Sequence, residues 1–159
     1  MNIEDFGTMI DQMKRTTVPK RLIFIWSGPT KELENILKEI ELKRVDIASA
    51  NTGKQIASDE IQHILEDYID KECRSYEKNR NEPSALIVEN AILLARYHCD
   101  MSTLFRHGIS PRSAVILIFP KESHKQLPPR AEGWIRRDTR SVLSNVSKQL
   151  GELDCLIEI

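Results

Sequence analysis

The chain of 159 residues is long enough for one domain with a full hydrophobic core, since a domain of this size buries roughly 68–70% of the surface exposed by its unfolded chain. Its 23 Lys and Arg residues against 24 Asp and Glu residues give a formal net charge of −1, without the basic excess of a dedicated nucleic-acid-binding domain. No apolar run is long enough for a membrane span, and the first residues lack a signal-peptide pattern. We therefore expect a cytoplasmic globular protein.

Apolar residues recur at helical spacing over residues 3–13 and predict an amphipathic helix that ends before Thr16. The continuous apolar run 22–26 predicts a buried strand. A second helix of about three turns is predicted to begin near Pro29, because apolar residues recur at i, i+3, i+4 and i+7. Residues 45–48 then predict a short second strand.

A longer helix is predicted over residues 58–69, where apolar side chains again follow the helical period. The charged stretch 71–83 predicts an exposed, mobile loop. Residues 85–89 form an apolar run that predicts the third strand.

The second half of the chain repeats this alternation. One helix is predicted over residues 93–105, and Gly108 marks its end. Residues 114–119 predict a fourth buried strand. A helix over residues 139–150 and a final strand over 155–159 complete the predicted elements.

Strands that alternate with helices require crossover connections, which favour a mostly parallel sheet. The strongly apolar first, third and fourth strands predict a sheet buried on both faces. The sequence therefore predicts a single α/β domain over residues 1–159, a three-layer α/β/α sandwich with a mostly parallel five-stranded sheet. The helix within residues 1–16 is expected to pack on it.

The chain has three cysteines, an odd number, and no two of them have C-x-x-C spacing. Cys73, Cys99 and Cys155 therefore predict reduced structural thiols rather than a disulfide framework or a zinc site. His98, Cys99 and Asp100 are consecutive, so on a helix they would point in different directions. We predict no metal site.

The turn Ser27-Gly28-Pro29-Thr30-Lys31, between the first strand and the second helix, is similar to a shortened phosphate loop. A working loop, G-x-x-x-x-G-K-[ST], directs backbone N–H groups and a Lys to phosphates and a hydroxyl to Mg²⁺. Here the second glycine is absent, and Glu32 occupies the hydroxyl position. Gly28, Thr30 and Lys31 are candidate phosphate contacts for weak ATP or Mg-ATP binding, and no cofactor is required.

The order of elements together with this turn resembles the P-loop NTPases that carry an additional strand between their two Walker strands. The resemblance assigns Glu89, at the end of the third strand, as the magnesium-associated acid. It places Asn90 where the water-polarising carboxylate normally stands. An amide cannot act as a general base for water attack, so the resemblance implies degraded catalysis. Alternatively, Glu89 pairs with a nearby Arg or Lys.

Within that group, the chain resembles the small P-loop-like accessory proteins of bacterial phage-exclusion (BREX) systems. The resemblance rests on the compact length, the turn 27–31, the segment 88–94 and the Ile-Phe-Pro at 118–120. It implies a non-catalytic or weakly nucleotide-binding scaffold beside larger defence proteins, including ATPases, methyltransferases and a phosphatase-like subunit. Two alternatives stay open: a nucleoside triphosphate hydrolase completed at a homo-oligomer interface, and a DNA-contacting adaptor.

The most concentrated basic stretch holds four arginines around one tryptophan: Arg130, Trp134, Arg136, Arg137 and Arg140. Arginine binds phosphate and carboxylate groups and stacks on aromatic rings, so this stretch predicts contact with nucleic acid, with a neighbour's nucleotide or with an acidic partner. In the hydrolase alternative, Arg136 or Arg137 acts in trans as an arginine finger. Otherwise the stretch is a solvated loop with Trp134 in the core.

Overall fold

The computed structural model describes residues 1–19, 22–50, 58–107, 109–119 and 156–157. The helices are α1 (Ile3–Arg15), α2 (Thr30–Ile36), α3 (Ser58–Asn79), α4 (Ile92–Arg96) and α5 (Ser102–His107). The strands are β1 (Ile23–Trp26), β2 (Glu41–Asp46), β3 (Ser84–Glu89), β4 (Ser113–Ile118) and β5 (Leu156–Ile157). A 3-10 helix, Ile47–Ala50, follows β2.

All pairings between the described strands are parallel, and their order is β2-β3-β4-β1-β5. The central strands β3 and β4 set Ala85 opposite Ala114. On the other side of β4, Ile23 of β1 lies opposite Val115. The short β5 pairs with the last two residues of β1. The predicted α/β class and the parallel pairing are confirmed.

Successive side chains of each strand point to opposite faces of the sheet, and helices cover both faces. One hydrophobic cluster joins α1 and α2 to the sheet. In it, the ring of Phe6 meets that of Phe24 edge-on at a centroid distance of 4.8 Å. The other cluster joins α3, α4 and α5 to the opposite face through residues such as Ile25 and Leu86. Burial of apolar side chains on both faces is the main force that holds these layers together.

Helix α1 forms as predicted, and backbone groups at both of its ends have hydrogen-bond partners. The Asn2 side chain accepts a hydrogen bond from the Asp5 backbone N–H at 2.8 Å and caps the first turn. At the other end, the Arg112 guanidinium donates to the Lys14 carbonyl oxygen at 2.7 Å. The face towards the sheet is fully buried at Phe6, Ile10 and Met13.

Helix α2 and strand β2 differ from their predicted bounds. Helix α2 ends at Ile36 after seven residues rather than about three turns, and the chain then turns at Glu39, which has a positive φ of 71°. This early turn lets β2 start at Glu41 and end at Asp46, so the predicted second strand is present but its bounds, residues 45–48, were wrong. The strand is hard to recognise because only Val45 within it is buried.

The prediction of an exposed loop over residues 71–83 was wrong, since α3 continues to Asn79. The buried positions keep the helical period into this charged stretch, at Leu65, Ile69, Cys73 and Tyr76. On the outer face, the Arg74 guanidinium donates to the Asp70 carboxylate one turn earlier at 2.8 Å. The charged side chains therefore belong to a helix, and several of them pair with residues of neighbouring elements.

The single helix predicted over residues 93–105 is divided into α4 and α5. His98 has a positive φ of 53°, which ends the helical path. The Asp100 carboxylate then accepts the Ser102 backbone N–H at 2.9 Å, and this contact lowers the pKa of Asp100. Asp100 thereby starts a new helix, and the apolar pattern is kept because both short helices pack on the same face of the sheet.

Candidate functional site at the carboxyl edge of the sheet

The candidate site residues follow the carboxyl ends of parallel strands, where open α/β sheets bind their ligands. The turn 27–29 connects β1 to α2. Asp46 ends β2 and lies opposite Glu89, the last residue of β3. Asn90 follows directly. The sheet thus brings Asp46, Glu89 and Asn90 together at one edge.

The shortened phosphate turn runs from Trp26, the last residue of β1, into α2. Pro29 is the N-cap residue of α2 and provides no side-chain hydrogen bond to the helix. Gly28 is half-buried, whereas Thr30 and Lys31 are exposed. Within the described part of the chain, no ion pair involves Lys31. Its ammonium group is therefore accessible to an anion.

Glu89 forms an ion pair with Arg44 of β2. The Arg44 Nη1 atom lies 3.0 Å from Glu89 Oε1, and its Nη2 atom lies 2.7 Å from Glu34 Oε1 on α2. The three side chains are 37–50% exposed. Of the two roles considered for Glu89, the structure gives it the pairing with a nearby arginine, and one guanidinium ties α2, β2 and β3 together.

Asn90 is engaged by the end of β2. Its Nδ2 atom donates to Asp46 Oδ1 at 2.7 Å, and the backbone N–H of Ala48 donates to the same oxygen at 2.9 Å. Asn90 has a positive φ of 54°, a left-handed conformation that asparagine tolerates better than most residues. The amide therefore fixes the backbone where β2 and β3 end.

Arg44 and Asp46 were missed by sequence reasoning, although a signal was present. They stand two positions apart on one strand, so they point to the same face. With β2 placed correctly, the pair would have been predicted beside the end of β3. Their importance depends on the register of β2 against β3, which sequence alone does not give.

The Mg²⁺ ion that the P-loop resemblance implies does not fit these residues. Mg²⁺ requires oxygen ligands in near-ideal octahedral geometry, but the contacted oxygens of Glu89 and Asp46 already accept hydrogen bonds from Arg44 and Asn90. Among the described residues, no group of three or more His, Cys, Asp or Glu side chains could hold a metal ion. The predicted acid is thus neutralised by the protein itself.

A second polar cluster, away from this edge, joins α3 to α5. The Asp70 carboxylate accepts the Thr103 hydroxyl at 2.8 Å and the Arg74 guanidinium at 2.8 Å. The hydrogen bond from Thr103, aided by Arg74, lowers the pKa of Asp70. His107 Nδ1 lies 2.9 Å from Glu77 Oε2 and extends the cluster. Its contacts bind the two helices together.

Cys73 and Cys99 are buried free thiols, as predicted. Burial raises the pKa of each thiol to about 12, and nearby carboxylates add to the effect. The thiolate is the nucleophilic form, so neither cysteine is suited to catalysis at neutral pH. Cys155 lies outside the described residues.

The basic stretch also lies outside the described residues. Its members are Arg130, Trp134, Arg136, Arg137 and Arg140. The predicted helix over residues 139–150 falls in the same part of the chain. Contact of this stretch with a partner or nucleic acid stays a prediction.

The chain was compared with known proteins at the level of families, sequences and structures. No family model, curated protein or solved structure matches it. None of the described helices combines the length and the apolar character needed to cross a membrane.

Proposed function

We propose that the chain is a P-loop-like accessory protein of a multiprotein anti-phage defence system, which binds a phosphate-bearing ligand weakly and does not hydrolyse it. The strand order is the observation that carries this proposal, because β4 lies between β1 and β3. The phosphate turn follows β1, and Glu89 ends β3. An additional strand between β1 and β3 is the feature expected from the P-loop resemblance.

Phosphate binding is supported by the surroundings of Lys31. Its side chain is exposed at the start of α2, next to backbone N–H groups that have no preceding helical turn to bond. These groups provide positive charge and hydrogen-bond donors for an anion. The turn lacks the second glycine that allows a full loop to surround a triphosphate, so binding is expected to be weak.

The absence of hydrolysis follows from the contacts of Glu89 and Asn90. A general base must accept a proton from the attacking water. The Asn90 amide has no such capacity, and its Nδ2 donates to Asp46. The Oε1 atom of Glu89 already accepts a hydrogen bond from the Arg44 guanidinium, so it is not free to accept a proton from water.

The proposed role in defence rests on the resemblance of the turn 27–31 and the segment 88–94 to BREX accessory proteins. Larger defence proteins are the proposed partners, and a second copy of the chain is a further one. A bacterial strain that lacks the chain should lose phage restriction. If the chain is a scaffold that works without its ligand, the Lys31→Ala variant should restore restriction in a plaque assay, whereas a role that requires the bound ligand would make that variant inactive.

Calorimetric titration with ATP, together with an assay of phosphate release, tests the ligand and the chemistry. We expect weak binding that Lys31→Ala reduces, and no turnover above the rate without protein. Lys38→Ala is the matched control, because Lys38 is also exposed but lies beyond the other end of α2. Turnover abolished by Lys31→Ala would reject the non-catalytic proposal. Equal ATP affinity in both variants and the unmodified chain would reject the role of Lys31.

A further inference from the structure

We propose that Arg44 takes the place of the divalent cation, so that the carboxyl edge binds its anionic ligand without a metal. This inference deepens the proposed function and rests on it only for the identity of the ligand. Its basis is the disagreement between the Mg²⁺ site that the resemblance implies and the contacts that Glu89 makes.

The guanidinium of Arg44 bridges two carboxylates from different elements. Its Nη1 and Nη2 atoms reach Glu89 and Glu34 at 3.0 and 2.7 Å. A metal ion on Glu89 would have to displace this charge-assisted hydrogen bond and give up part of its own hydration shell. Arginine is already weakly hydrated and has five N–H donors in a fixed plane. Arg44 is therefore favoured over a metal ion as the partner of Glu89.

The remaining carboxylate at this edge is also engaged. Asp46 Oδ1 accepts two N–H groups, from Asn90 and from the backbone of Ala48. These contacts hold the acidic side chain against its own turn. A metal ion at Glu89 could therefore recruit Asp46 Oδ1 only by displacing the hydrogen bonds from Asn90 and Ala48.

The charges then divide into two groups. Arg44 pairs with both Glu34 and Glu89 and offsets one of their two negative charges, whereas Lys31 makes no ion pair within the described residues. Lys31 is left to bind an external anion. The ligand class is accordingly a phosphate-bearing molecule in its metal-free form.

Mn²⁺ titration without nucleotide, followed by electron paramagnetic resonance of the free ion, tests the part played by Arg44. The unmodified chain should show no saturable Mn²⁺ binding in the millimolar range. Arg44→Met should free two carboxylates and create a site that Mn²⁺ saturates within the millimolar range. Arg44→Lys, which keeps the charge, should create none.

Lys43→Met is the matched control, because Lys43 stands next to Arg44 on β2 and pairs with Glu72 at 3.5 Å on the other face of the sheet. This variant should leave Mn²⁺ binding unchanged, and circular dichroism should show that each variant is folded. Saturable Mn²⁺ binding by the unmodified chain that Glu89→Gln removes would overturn the inference. A folded Arg44→Met variant that shows no saturable Mn²⁺ binding would also overturn the inference.

A second titration distinguishes the inference from the proposed function. ATP should bind the unmodified chain equally well in EDTA and in Mg²⁺. Binding that requires Mg²⁺ would overturn the inference and leave phosphate binding intact. If ATP does not bind at all, phosphate binding fails, and the Mn²⁺ titrations still decide the role of Arg44.

Discussion

The hydroxyl oxygens of Tyr76 and Ser84 lie 2.7 Å apart in the protein interior and join the last turns of α3 to the first residue of β3. Both side chains are at least 96% buried. The Arg80 guanidinium lies 5.6 Å from the centre of the Tyr76 ring. The hydrogen bond between Tyr76 and Ser84 anchors the part of α3 that was predicted to be a loop.

Tyr76→Phe should destabilise the fold by about 1–3 kcal/mol, because it leaves the buried Ser84 hydroxyl without this partner. Urea unfolding measures the loss. In a double-mutant cycle, adding Ser84→Ala should cost less in the Tyr76→Phe background than in the unmodified chain. Additive free energies would show that the two hydroxyls do not stabilise each other.

Cys73 and Cys99 should resist alkylation in the native protein at pH 8, because burial raises both thiol pKa values to about 12. A Cys155→Ser background limits the measurement to these two thiols. Reaction with iodoacetamide should be slow in buffer and fast in denaturing urea. Rapid modification of either cysteine in buffer would contradict the burial described here.

Asp70 should make the stability depend on pH. Its pKa is lowered by Thr103 and Arg74, so its stabilising effect is present above the unfolded value of about 3.9 and is lost as pH falls through the lower folded value. Asp70→Asn should therefore cost most at neutral pH and least in acid. Urea unfolding between neutral pH and about pH 3 measures this difference. Asp67→Asn is the control, because Asp67 is exposed on the same helix. If the loss of unfolding free energy in Asp70→Asn is no smaller in acid, the prediction is contradicted.

Asn90 should tolerate glycine better than alanine. Both substitutions remove the 2.7 Å hydrogen bond to Asp46, but only glycine adopts a φ of 54° without a steric penalty. We expect Asn90→Ala to cost roughly 1–2 kcal/mol more than Asn90→Gly in thermal or urea unfolding, the cost of a left-handed conformation for an L-residue. The reverse order would show that the left-handed conformation is not retained in solution.

Much of the fold could be predicted because local pattern and burial agree. The apolar spacing of Phe6, Ile10 and Met13 gave α1, and the apolar runs ending near Trp26 and Glu89 gave two strands. Burial of both sheet faces makes such runs easy to recognise.

The predictions were wrong where contacts between residues distant in sequence determine the local structure. Charged residues on the outer face of α3 obscured the buried Tyr76, and the break at His98 is a backbone conformation with no strong signal in the sequence. At the site, Gly28 and Lys31 could be selected by motif. The partner of Glu89 could not, since Arg44 reaches it only through the register of β2 against β3 and the placement of α2.

The strand order also affects how the protein is made. Strands β2 and β3 are neighbours in sequence and in the sheet, so they can pair early in synthesis, but both neighbours of β1 come later in the chain. Ile23 must wait for Val115 before it has a partner. A nascent chain therefore carries an unpaired, strongly apolar strand until β4 has been synthesised, and such a segment is prone to aggregate or to recruit chaperones.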